Sequence, residues 1–222
     1  MHISKLQGVS DEKLLELALQ LSSQTGSVEN KLLHWEFGPI MTMYFQNDAK
    51  NYLFSQESVP FHWDGAFYRE PLKLLFYCTE SSGTGGETLF ANTELIWKSL
   101  SKSEQSLCCK INLTFETKKL AHYGGKITVP LVQQHPKSKN IILRIAEKVE
   151  TSLNPVTLEI HGPKESFDLY QSLVEKLYAK EFLTEHQWEK GDLVICDNYT
   201  YVHGRKSLKG NLKRTFKTIQ IL

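Results

Sequence analysis

The chain has 222 residues, 41% of them hydrophobic and 23% charged, the balance of one ordinary globular domain with enough apolar material for a substantial core. Lys and Arg total 26 against 25 Asp and Glu, so the formal net charge is +1 and no basic run is available to follow a phosphate backbone. Nucleic acid is therefore excluded as the expected partner, and a membrane is excluded too, because no stretch approaches the roughly 20 apolar residues a spanning helix needs.

Residues Met1 to Val9 show neither the apolar centre of a signal peptide nor an Arg-rich transit pattern, so the expected location is cytoplasmic. Ser10 is placed to cap a helix whose first turn carries Asp11 and Glu12 and whose apolar stripe is Leu14, Leu17, Ala18 and Leu21. That stripe predicts packing on a sheet. A shorter helix is expected from Asn92 or Thr93 through Leu95, Ile96 and Leu100. Another is expected after the Gly162-Pro163 breaker, where Phe167, Tyr170, Leu173, Val174, Leu177 and Tyr178 recur at three and four residues.

Elsewhere the period falls to two, as at Ile111, Leu113 and Phe115. Short apolar runs lie at Ile40 to Phe45, Leu72 to Tyr77, Ile141 to Ile145, Leu193 to Cys196 and Phe216 to Leu222. Turn residues at Ser82-Gly83, Gly85-Gly86, Gly124-Gly125 and Lys209-Gly210 separate these runs, which predicts antiparallel double sheets rather than alternating strand-helix-strand units. Cys78, Cys108, Cys109 and Cys196 lack Cys-x-x-Cys spacing and read as buried reduced thiols, with Cys108 and Cys109 on opposite faces if they lie in a strand.

Chemistry concentrates in three segments. In an extended strand His62 and Asp64 share a face while Trp63 points the other way, so both can reach one ion. Taken alone, such a pair is usually an incidental surface feature, and its meaning depends on a third donor. His203 supplies one, although by itself a histidine there reads as a loop cap. Two imidazoles and a carboxylate suffice to hold a ferrous ion with half its coordination sphere open. The same set also suits zinc, as in a hydrolase. Strand alternation from Leu212 to Leu222 places Arg214, Phe216, Thr218 and Gln220 together. A guanidinium on that face needs an anion, either a structural carboxylate of the chain or a carboxylate ligand matched by its planar fork.

In order and in kind, these segments resemble the taurine dioxygenase-like (TauD/TfdA) branch of the Fe(II) and 2-oxoglutarate-dependent oxygenases. The resemblance is carried by Phe61-His62-Trp63-Asp64, Gly85-Gly86-Glu87-Thr88, Trp188 with Gly191-Asp192, Asp197-Asn198, His203-Gly204-Arg205 and Arg214, and it extends from about Phe61 to Thr218. It implies a mainly β, double-stranded β-helix core of the jelly-roll, cupin-like type with flanking α-helices, as one domain over 1–222. It further implies iron binding by His62, Asp64 and His203, 2-oxoglutarate binding by Thr88 and Arg214, and use of dioxygen. Members usually carry a longer N-terminal part, so a barrel strand or part of a substrate lid is expected to be absent or rearranged. Thr218 stands where taurine-type enzymes place a further arginine, which argues against a sulfonate substrate, and Asp64 argues against halogenation.

The segments Ala121-His122-Tyr123-Gly124-Gly125, Pro130-Leu131-Val132 and His135-Pro136 are most similar to members associated with isonitrile biosynthesis. The resemblance thus implies hydroxylation or desaturation of a small amino-acid-derived substrate, with an isocyano compound as one form. Tyr68, His122, Tyr123, Arg144 and Arg205 are the candidate polar contacts to it, and His135, beside a proline, is expected to be structural. A competing expectation is a cupin-like module that binds metal and 2-oxo acid without turnover. The sequence leaves oligomeric state open.

Overall fold

In the computed structural model, which describes all residues except 24–30, 47, 50, 82–84, 121, 122, 152 and 210–213, the chain begins with strand β1 (His2–Lys5) and helix α1 (Asp11–Ser23). Strand β2 (Met41–Tyr44) and a 3-10 turn (Tyr52–Phe54) lead to β3 (Val59–His62), β4 (Lys73–Ser81) and β5 (Thr88–Asn92). Helices α2 (Thr93–Ser99) and α3 (Lys102–Cys108) follow, then β6 (Asn112–Leu120), β7 (Tyr123–Pro130), β8 (Val132–Gln134), β9 (Ile141–Leu143) and β10 (Thr157–His161). Helix α4 (Ser166–Leu177) precedes β11 (Leu183–His186), β12 (Asp192–Asp197), β13 (Tyr201–Arg205) and β14 (Arg214–Ile221).

Every pairing between these strands is antiparallel. One sheet runs β1-β12-β4-β14-β2 and a second runs β11-β5-β13-β3, the pair of sheets expected for a double-stranded β-helix. Leu74, Cys78, Phe90, Trp188, Val194, Cys196 and Phe216 fill the space between them. A third sheet, β10-β6-β7, joins α4 around the larger apolar cluster that contains Phe61, Trp63, Phe115 and Tyr170.

Strand β14 explains how the site and the helical layer share one sheet. Its even-numbered side chains, Arg214, Phe216, Thr218 and Gln220, line the internal cavity, as period-two alternation predicts. Its odd-numbered Ile219 and Ile221 turn outward and receive Leu14 and Ala18 of α1, both 0% exposed, with Leu75, Tyr77 and Leu193 completing the cluster. Burial of Leu14 alone contributes about 1.5–3 kcal/mol. The Lys217 ammonium pairs with Asp11 at the helix start, where a carboxylate also suits the helix dipole.

The helix boundaries have local causes. The Asn92 side chain caps α2 by accepting from Leu95 N at 3.0 Å. Ser101 and Glu104 form a reciprocal capping box at α3, with the Glu104 carboxylate accepting from Ser101 N at 2.7 Å. That box corrects two expectations. Cys108 and Cys109 close a helix rather than alternate along a strand, and Cys109 is exposed whereas Cys78, Cys108 and Cys196 are buried. The stripe of α4 is also displaced: Leu169, Tyr170, Leu173 and Leu177 are buried, while Phe167, in the first turn, is exposed. Gly124 and Gly125 lie inside β7 rather than in a turn. The Ser82-Gly83 pair and Gly210 lie outside the described residues. Among the described residues no helix is long and apolar enough to cross a membrane.

Candidate active site

Strand β3 ends at His62 and pairs with β13 so that His62 lies directly opposite His203. The register then slips, with Arg205 opposite Val59, and β3 approaches so closely that a Cβ on Gly204 would lie 2.8 Å from Val59 O. Glycine after His203 is thus a packing requirement. The two imidazole rings sit with centroids 4.3 Å apart. Asp64 Oδ1 lies 3.5 Å from His62 Nε2 and 3.7 Å from His203 Nε2. One donor atom from each of the three residues falls within 4.8 Å of the others.

The protonation pattern follows from the neighbours. Pro60 O can only accept, so His62 Nδ1, 2.9 Å away, must carry the proton, and this leaves Nε2 facing Asp64. Asp64 Oδ2 accepts from Gln220 Nε2 at 2.8 Å, which turns Oδ1 toward the imidazoles. Burial, together with His62 nearby, pushes His203 down to about 3, so it is a neutral donor at pH 7. Burial works against ionisation of Asp64, but hydrogen bonding from His62, the two imidazoles and Gln220 outweigh it and hold the carboxyl at about 2. Burial also opposes charge on His62, yet Asp64 raises it overall. An ionised carboxylate facing two imidazole nitrogens fits a divalent metal of the first transition row.

Behind these donors the Asp64 peptide is clamped. Asp64 N donates to Asn198 Oδ1 at 2.9 Å, and Asn198 Nδ2 donates to Asp64 O and Pro71 O, each at 3.0 Å.

Beside the triad, Arg214 Nη2 donates to Thr88 Oγ1 at 3.0 Å, and Nη1 donates to Gly86 O. Trp188 Nε1 also donates to Thr88 Oγ1, at 2.8 Å. With two donors on its oxygen, the Thr88 hydroxyl keeps its own proton to give to a third group. Gly86 has a φ of +68°, and a Cβ there would come 2.3 Å from Leu208 Cδ2 and 2.7 Å from Arg214 Nη1, so the backbone favours glycine and any other residue would displace one of these side chains. Arg214 Nε is buried without a partner, and among the described residues no carboxylate lies within 4.0 Å of the guanidinium. Burial pushes Arg214 down to about 9, with Arg205 adding repulsion, so its charge is under-compensated until an anion arrives. A charged fork and a hydroxyl forced to donate suit a carboxylate.

Triad, Arg214 and Thr88 all open on one cavity of about 500 Å³ with a mainly aromatic and aliphatic wall. Tyr68 and Tyr123 line it, with Tyr123 edge-on to Phe67 at 5.5 Å. Arg205 borders it, but its guanidinium donates to the carbonyls of Leu53, Ser55 and Glu57 at 2.9, 2.7 and 2.6 Å and so tethers the loop before β3. Arg144 corrects the expectation of a substrate contact: it is 0% exposed, does not line the cavity, and is bonded to Glu70 and Gln133. His122 lies outside the described residues. His135 is buried and joined to Asp197 at 3.0 Å, a structural pairing. Gln220, Trp188 and Asn198 escaped assignment of a role in the sequence reading; for Gln220 the alternation of β14 was the available signal.

A family model described as taurine catabolism dioxygenase TauD, TfdA family matches residues 3–220. A 3-((Z)-2-isocyanoethenyl)-1H-indole synthase from Fischerella ambigua is 36% identical over 200 residues, covering 86% of this chain and 73% of that protein. A tyrosine isonitrile desaturase from Pseudomonas aeruginosa is 30% identical over 200 residues, covering 86% of this chain and 68% of that protein. The solved structure of PvcB, described as an Fe, alpha-ketoglutarate dependent oxygenase from an isonitrile synthetic pathway, superposes with a TM-score of 0.74 at 26% identity, covering 99% of this chain and 75% of that one. This chain belongs to the TauD/TfdA dioxygenase family.

Proposed function

We propose that the chain, as one domain over 1–222, couples oxidative decarboxylation of 2-oxoglutarate, giving succinate and carbon dioxide, to C–H oxidation of a small isocyano derivative of an aromatic amino acid. The observation that carries this reading is the shared cavity: three metal-type donors and a carboxylate-binding pair open on the same apolar space.

In this reading His62, Asp64 and His203 would hold iron beside the space that 2-oxoglutarate would occupy. Bound there, iron supplies the oxidising chemistry. Arg214 and Thr88 receive the distal carboxylate of 2-oxoglutarate, with Trp188 fixing the hydroxyl as a donor. The cavity volume, about 500 Å³, falls within the range of small-molecule sites. Phe67, Tyr68, Tyr123 and Phe115 offer ring faces and edges to an aromatic side chain. The indole- and tyrosine-derived names of the relatives support the same substrate class.

A succinate-release screen with isocyano derivatives of tyrosine and tryptophan, the parent amino acids and small carboxylates tests this. Succinate formed in step with oxidation of an isocyano acid is expected. Turnover confined to the free amino acids would reject the substrate class, and no succinate from any of them with iron bound would reject the enzyme reading.

A further inference from the structure

Arg144 occupies the back of the metal-binding turn rather than the cavity. It is fully buried, and each part of its guanidinium is used. Nη2 donates to Glu70 Oε2 at 2.6 Å, Nη1 to Asn198 O at 3.2 Å and Nε to Gln133 Oε1 at 3.2 Å. Its Cζ lies 4.2 Å from the Tyr199 ring centroid and 5.2 Å from that of Trp63.

The first two of these partners lead to the donor segment. Glu70 Oε1 accepts from Trp63 Nε1 at 2.9 Å, and Trp63 is the residue between His62 and Asp64 whose side chain projects backward into the core. Asn198, held at its carbonyl by Arg144, clamps the peptide of Asp64 on both sides through its amide, as described above. A single cation therefore grips the His62-Trp63-Asp64 turn at two places, through an indole and through a backbone clasp. The carboxylate of Glu70 and the carbonyl of Asn198 lie in different directions from it. A planar fork serves both at once, and an ammonium does not.

We propose that Arg144 is a positioning residue for the metal centre: through Glu70–Trp63 and through Asn198 it sets the separation and orientation of the His62 and Asp64 donors. A metal centre demands donor placement to about 0.5 Å, and partners outside the ligands change metal affinity by roughly 10- to 100-fold. The inference rests on the metal-site reading given above. It adds a role to a residue that touches neither metal nor substrate.

The test uses the whole chain, with Mn(II) as an EPR-visible probe under anaerobic conditions and 2-oxoglutarate added afterwards at saturating metal. For Arg144→Lys, Mn(II) affinity is expected to fall by about 10-fold or more and the EPR signal of the bound ion to change. The affinity for 2-oxoglutarate once metal is saturating should move much less. Glu70→Gln retains an acceptor for Trp63 but loses the ion pair, and is expected to shift Mn(II) binding in the same direction; it decides the matter if Arg144→Lys does not fold. Folded variants with a lowered melting temperature but unaltered Mn(II) affinity and spectrum would overturn the proposal and leave Arg144 a brace of the core. Failure of the unaltered protein to bind Mn(II) would instead overturn the metal site itself.

Discussion

Replacing Arg214 by Lys keeps a positive charge at the start of β14 and removes the fork. In the native arrangement Nη1 is committed to Gly86 O and Nη2 to Thr88 Oγ1 at 3.0 Å, which leaves the second proton on each Nη for an anion. Two parallel bonds to one carboxylate are available to that geometry, whereas an ammonium on a flexible stem gives one well-directed bond. Loss of one hydrogen bond to a charged group costs about 1.5–3 kcal/mol. That corresponds to a roughly 10- to 150-fold rise in the Kd for 2-oxoglutarate. Metal binding should be nearly unchanged, because the described partners of Arg214 are Gly86 and Thr88 and not the three donors. Anaerobic calorimetry, titrating metal first and 2-oxoglutarate second, separates the two. An equal loss of both affinities would refute the division of labour and make Arg214 a structural residue, and an unchanged Kd for 2-oxoglutarate would remove it from the site.

Three further outcomes follow from named contacts. Asp64→Ala deletes the carboxylate shared by both imidazoles and Gln220, and succinate formation should fall below detection in a coupled assay. Gly86→Ala must tolerate a φ of +68° and a Cβ 2.7 Å from Arg214 Nη1, so 2-oxoglutarate should bind at least about 10-fold more weakly while metal affinity holds; calorimetry reads this directly. In the native protein only exposed Cys109 should react promptly with a thiol reagent, because burial pushes the Cys78 thiol up to about 11 and, with smaller additions from Cys109 and Glu104, that of Cys108 to about 12. Unfolding should release four thiols, and prompt reaction of more than one in the folded protein would contradict the packing of β4, β12 and α3.

Local periodicity made much of this legible in the sequence. The alternation of β14 separated its cavity face from its α1 face, and Ser10, Leu14 and Ala18 announced the helix that covers it. The capping box at Ser101 and Glu104 was equally readable and would have prevented Cys108 from being considered in a strand. What periodicity cannot carry is pairing between distant segments. Asp64 meets Gln220 across 156 positions, Arg144 meets Glu70 across 74, and Trp188 meets Thr88 across 100. Each of these side chains looks ordinary in its own neighbourhood. Arg144 is the clearest case: an isolated arginine suggests an anionic substrate, and only the partly exposed Glu70, paired with it at 2.6 Å, shows that its charge is already matched.

The central claim is that His62, Asp64 and His203 hold an iron with room for a chelating keto acid oriented by Arg214 and Thr88. Anaerobic addition of 2-oxoglutarate to the Fe(II)-loaded protein, followed by visible absorption, tests it most directly. A weak charge-transfer band should grow in and saturate at one keto acid per bound iron. Absence of the band at saturating 2-oxoglutarate, with iron demonstrably bound, would contradict the claim.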